Sequence, residues 1–185
     1  MGFVLLAVVV VLALWVMSAY NRLIALKNQV ANGWKQIDVQ LKRRHDLIPN
    51  LVNAVKGAMD FEKSTLEAVI SARNKAVSAT GVAQVAKAEG ELTQALGRLF
   101  ALSENYPQLK ATANIQQLQE ELVSTENKVG FARQLYNDVA TSYNTAQQQF
   151  PTNLVAGLAK AAPAELWEIE DQAERAVPNV DLKMN

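Results

Sequence analysis

"RRHDLIPNLVNAV", Arg43 to Val55, is the stretch whose reading decides the fold. Two arginines, the only histidine of the chain, an aspartate and a proline stand directly before an apolar helical run. Upstream, Tyr20, Leu23, Lys27, Val30, Trp34, Ile37, Leu41 and Arg44 recur at alternating spacings of three and four, which makes one helical seam. Proline lacks the N–H that a helix interior uses, and is at home in a first turn. The stretch therefore reads as a tight corner, with one helix ending near residue 45 and an antiparallel one starting at 46. Arg43 and Arg44 then meet the negative end of the first helix dipole, Asp46 caps the second helix, and Pro49 occupies its first turn. Leu47 and Ile48 pin the corner to the core. A partner-binding tip is the competing reading. His45 has no second histidine or cysteine to share a metal.

Three further seams follow. Ile48, Val52, Val55, Met59, Glu62, Leu66, Val69, Arg73 and Ala76 form the second; Val85, Glu89, Leu92, Leu96, Leu99 and Tyr106 form the third. The fourth runs from Ile115 through Thr125, Val129, Tyr136, Val139 and Tyr143 to Phe150 without a slip. "SATG" (78–81) and "ENYPQ" (104–108) between them are turn chemistry, and short links imply antiparallel neighbours. The expected fold is all-α: an antiparallel bundle of long helices over residues 20–45, 46–79, 82–105 and 110–149. Gly33 reads as a tolerated blemish costing about 1 kcal/mol against alanine. Beyond Pro151, a tail punctuated by Pro163 and Pro178 is expected to carry a short helix near Leu154–Lys160 and an acidic one near Ala164–Ala176.

Ahead of the bundle, Met1 to Ala19 carries no charged side chain. About 19 helical residues rise roughly 28 Å, close to a bilayer core. Phe3, Leu6, Val10 and Leu14 make up this anchor, and Trp15 and Tyr20 fall where an interfacial belt sits. A cleaved signal peptide wants basic residues before the run and small ones at the cut, and Met17 is a poor fit. The domain organisation is then an anchor over 1–19, a bundle over 20–150 and a tail over 151–185. Arg22, Lys27 and Lys35 follow the anchor, so the positive-inside rule leans toward a cytoplasmic body. Periplasmic or extracellular placement stays open.

Composition narrows the chemistry. Lysine plus arginine equals aspartate plus glutamate, 18 each, which gives no electrostatic footprint for nucleic acid. The chain has no cysteine, and so no disulfide, thiolate nucleophile or cysteine metal site. It has no glycine-rich phosphate loop and no Glu-x-x-His pair, and His45 is the only candidate base. No catalytic, cofactor-binding or metal residue is expected, no cofactor, and no small-molecule substrate; the chain reads as a non-enzyme. Arg73 and Glu89 interrupt apolar seams. A turn centred on Thr80 and Gly81 puts them opposite each other, as a register-setting buried pair rather than a proton relay.

"YNRLIALKNQVANGWKQIDVQLKRRHDLIPNLVNAVKGAMDFEKSTLEAVISARN" (20–74) and "YNTAQQQFPTNLVAGL" (143–158) resemble the LemA family. That resemblance covers nearly the whole chain. It implies a long helical bundle behind one membrane helix in a bacterial cell membrane, and names no reaction. Magnetosome proteins of similar type imply, by analogy alone, a role in shaping membranes.

The third helix is about 24 residues and the fourth about 40, so the fourth is longer by roughly 24 Å. Its overhang carries Tyr136, Tyr143 and Phe150 toward the membrane side, where it packs along the base of the first helix, lies on lipid, meets a neighbouring chain, or bends near Gly130. The expected function is a membrane-anchored homo-oligomer of high order, self-associating through those residues and scaffolding or curving the bilayer. The alternative is an accessory module that docks another membrane protein. Lipid is a partner in either reading.

Overall fold

A computed structural model describes residues 1–58, 62–110 and 112–168. Among them the chain is helical with no strand, in the order α1 (Gly2–Ala58), α2 (Lys63–Ser78), α3 (Val82–Ser103), α4 (Pro107–Lys110), α5 (Ala113–Gln148) and α6 (Asn153–Ala156). The long helices form an antiparallel bundle, with α5 laid along α1 and α2 paired with α3.

The corner expected at Arg43–Pro49 is not there. Arg43, Arg44, Asp46 and Pro49 all lie inside α1, a single helix of 57 residues and so roughly 85 Å. The anchor and the first bundle helix are one rod. An interior proline costs about 3 kcal/mol relative to alanine. Beyond Pro49, however, Leu51, Val52 and Val55 are 1–3% exposed. Burying each contributes about 1.5–3 kcal/mol, and the continued helix carries all three on the face that Ile48 already turns to the core. Packing outweighs propensity, and the break falls after Ala58 instead. Asp46 is accordingly no cap. It is an exposed residue that accepts a 2.8 Å bond from Lys42 one turn away. That bond is the main cause holding its carboxyl below the usual carboxylate range.

The core forms three levels along the rod. At the far end Ile48, Leu51, Val69, Leu92, Leu99 and Ile115 bring α1, α2, α3 and α5 together. In the middle Ile37, Leu41, Val85, Val129, Tyr136 and Ala140 join α1 and α5 to the start of α3. At the base Leu23, Ala146 and Ala159 close α1 and α5 against the segment after α5. The bundle thus narrows toward the anchor, because α2 and α3 are too short to reach its base. α5 is unbroken through Gly130. Its expected overhang packs along α1, so Tyr136 and Tyr143 are each 3% exposed and cannot be a free self-association face. Phe150 alone of the three residues is open, at 80%.

At Gly33 the α5 backbone comes close to α1. A Cβ there would stand 3.3 Å from the Tyr136 Cα, which is helix backbone and cannot swing away. Gly33→Val is therefore expected to destabilise the bundle by about 1–3 kcal/mol through overpacking. Gly97→Ala, where a Cβ meets nothing within 4 Å, should instead raise stability by up to about 1 kcal/mol. Thermal unfolding of the two variants checks the opposite signs.

The tail departs from its expected form. The short helix is α6, Asn153–Ala156. Residues 161–168 are not helical, so the acidic helix does not begin at Ala164. The rest of that expected helix, and Pro178, lie outside the described residues.

Candidate functional site

Where α1, α2, α3 and α5 meet, Arg44, His45 and Glu89 are buried inside the bundle, and the half-exposed Glu126 reaches them from its rim. Arg44, 2% exposed, donates from Nη1 to Glu89 Oε2 at 2.9 Å. Its Nη2 donates to Thr93 Oγ1 and lies against Glu126 Oε2, both at 2.8 Å. Glu89, 3% exposed, also takes His45 Nε2 at 2.6 Å on its other oxygen. A planar guanidinium answering two carboxylates and a hydroxyl uses the fork geometry that lysine lacks.

Pro49 completes the arrangement. A proline in a helix interior leaves the carbonyl four residues earlier without its N–H partner. That residue is His45, and the carbonyl of His45 accepts instead from Arg73 Nε of α2, at 3.3 Å. The oddities of "RRHDLIPNLV" therefore serve one junction. Arg44 and His45 hold α3 and α5 by their side chains, and Pro49 frees a backbone acceptor for α2. Arg73 and Glu89 do not pair with each other as expected: Glu89 is matched by Arg44 and His45, while Arg73 serves the backbone and Asn74. The cluster's donors and acceptors face one another, which suits locking four helices in register. Among the described residues no group of side chains is placed to hold a metal ion.

A second polar device fastens the tail. Asn144 accepts from the Ala164 N–H at 2.7 Å and donates to its carbonyl at 2.8 Å. Asn137 does the same for Trp167, at 2.9 Å both ways. Seven helical residues rise about 10.5 Å and three extended ones about 10 Å, so the two amides match alternate ends of one strap. Between them Tyr136 donates its hydroxyl to the Glu165 carbonyl at 2.7 Å. Burial, with the Glu165 carboxylate adding to it, pushes the Tyr136 phenol above its ordinary value. Trp167 is buried beside Trp34, ring centres 6.0 Å apart, and Trp34 meets Tyr136 edge-on at 5.5 Å. The strap covers the α1–α5 seam where α2 and α3 have ended.

The anchor residues stand apart from both devices. Phe3, Leu6, Val10 and Leu14 are 48–89% exposed, Trp15 is half-buried, and Tyr20 is 40% exposed. α1 is long and apolar enough over this part to cross a membrane.

Residues 33–182 match the sequence pattern of the LemA family. The chain belongs to the LemA family. Protein LemA of Metamycoplasma hominis is 29% identical over 138 residues, covering 74% of this chain and 63% of that protein. Magnetosome protein MamQ 2 of Paramagnetospirillum magneticum is 24% identical over 175 residues, covering 80% and 64%. Magnetosome protein MamQ of Magnetospirillum gryphiswaldense is 23% identical over 163 residues, covering 74% and 60%. The chain thus spans less than two thirds of each relative's length. Family and apolar helix together support a membrane-associated protein.

This LemA-family chain also exposes features that its seams did not reveal. Val39, Val123, Phe131 and Leu135 are 45–74% exposed on the outer side of α1 and α5. They line two shallow grooves that share Lys128 and Phe131. Asn137 and Asn144, one heptad apart, were a legible signal for a clamp. The part of His45 was not, because it depends on α3 reaching its level.

Proposed function

We propose that this chain is a membrane-anchored structural protein that self-associates into a homo-oligomer of high order and scaffolds or curves the membrane. The observation that carries the reading is the exposed apolar strip Val39, Val123, Phe131 and Leu135 on a rod continuous with the anchor. Anchored copies share one plane, which raises their local concentration and lets weak lateral contacts accumulate. A strip on the side of the rod meets neighbours rather than solvent. Identical subunits in lateral contact close by rotational symmetry, and a narrowing bundle favours a ring or curved shell over a flat sheet. The role is non-catalytic: the buried cluster fixes the bundle's register, and the strap secures its narrow end. Arg22, Lys27 and Lys35, exposed beyond the anchor, support a cytoplasmic body.

Particle size of the full-length protein in mild detergent and in nanodiscs tests this. Phe131→Glu should shrink the particles while leaving the melting temperature unchanged, because Phe131 contributes almost nothing to the core. A monomer in both media would leave the accessory-module reading as the better one.

A further inference from the structure

Phe150, Leu154 and Leu158 are 80%, 67% and 70% exposed. They are spaced four apart across the turn that follows α5 and through α6. Their place along the rod is fixed by what lies behind them. Gly33 stands against Tyr136, and Leu23 shares a core cluster with Ala146 and Ala159. Antiparallel pairing at that register puts Phe150 level with Ala19, the last residue of the uncharged anchor. Val155 and Ala159, 2% and 6% exposed, turn the other face of the segment onto the protein. The segment is thus amphipathic, its inner face seated on α1 and α5. Its outer apolar face opens at the height where the anchor leaves the bilayer. Arg22, Lys27 and Lys160, all exposed, lie at this same base.

We propose that Phe150, Leu154 and Leu158 form a second membrane-contact surface, inserted into the headgroup–acyl boundary beside the anchor. The occupant is the lipid surface itself. An apolar knuckle of three large side chains is costly in water and at home at that boundary, and basic side chains around it reach phosphates while their stems stay apolar. The contact is continuous with the anchor, so it needs no partner protein to bring it to lipid. It rests on the membrane-anchored half of the proposed function and adds what a single spanning helix lacks. One helix through a bilayer leaves the rod free to tilt and spin, whereas a second contact to one side fixes both. Displacing headgroups in only one leaflet is also a wedge, which gives bending a local cause.

The cysteine-free chain makes the test direct. Single cysteines at Leu154, Leu158, Val10 and Gln94 are spin-labelled in the full chain, reconstituted into vesicles of phosphatidylethanolamine and phosphatidylglycerol. Accessibility to oxygen and to a water-soluble nickel chelate is then measured. All four positions are exposed, and circular dichroism verifies that the helices survive. Labels at 154 and 158 are expected to show an oxygen-to-nickel ratio several-fold above that at 94, which lies on α3 away from the apolar strip, and approaching that at 10. A water-like ratio at 154 and 158, with a lipid-like one at 10, would overturn the knuckle and leave the anchor standing. Water-like ratios at all four would overturn both. Spin–spin broadening at 154 that disappears on dilution with unlabelled protein would show a second copy covering the face, and would overturn the lipid assignment as well.

Discussion

Arg44→Ala is expected to lower the stability of the bundle by about 3–5 kcal/mol. The substitution leaves Glu89 enclosed at 3% exposure with His45 as its remaining neighbour, and removes the group that Thr93 and Glu126 turn toward. Most of the loss is the desolvation of a carboxylate oxygen left without its guanidinium rather than the worth of the pair, which is why the double variant is informative. Arg44→Met combined with Glu89→Leu removes both charges and should recover much of the loss. Asp46→Ala, two residues away but exposed, is expected to leave the unfolding midpoint close to that of the unaltered chain. Urea unfolding followed by circular dichroism measures all three. If Arg44→Ala lay within about 1 kcal/mol of the parent, the range of solvated surface pairs, the cluster would be wet and its role as the junction of four helices would be wrong.

The same residues show what sequence reading reached. The seams identified the buried faces of α1, α3 and α5 almost residue by residue, since burial follows the helical period and little else. Leu41, Arg44, Ile48, Val52 and Val55 continue the spacing of three and four straight through the supposed corner. That unbroken spacing is the signal of one helix, and it outweighs the proline. Local propensity argued for a break; the long-range supply of apolar partners from α2, α3 and α5 argued against it and prevailed. Arg73 and Glu89 are misfits in their seams, and the seams alone pair them with each other. Their real partners are on α1, and they come into view only once α1 is known to reach their level. Gly33 looked like a defect because its cost is local, while its use, the approach of the α5 backbone, is tertiary. The exposed Phe131 is invisible to the seams for the opposite reason: they report the inside of a bundle, and a site for lipid or for another chain lies outside them.

Deleting residues 1–18 should convert a protein that resists carbonate extraction into a soluble one whose unfolding midpoint is unchanged. The two halves of that result have separate causes. Side chains such as Phe3, Leu5 and Leu6 are 59–89% exposed, and Ala19 is the first buried residue of the chain, so the deletion removes nothing from the core. A core helix of a soluble protein would have this apolar run enclosed; here it projects from the bundle with no protein around it. Water is an expensive place for it, at about 0.8 kcal/mol for each methylene-sized group left out of lipid, and the sum over the run far exceeds what a wash can offset. A single charge should tell the same story in smaller measure: Val10→Arg is expected to weaken insertion by about 2.5–3.5 kcal/mol. The truncated chain keeps Phe150, Leu154 and Leu158, so it should still associate weakly with anionic vesicles and come off in high salt. The intact chain should not. Recovery of the full-length protein in the carbonate supernatant would remove the anchor from this account.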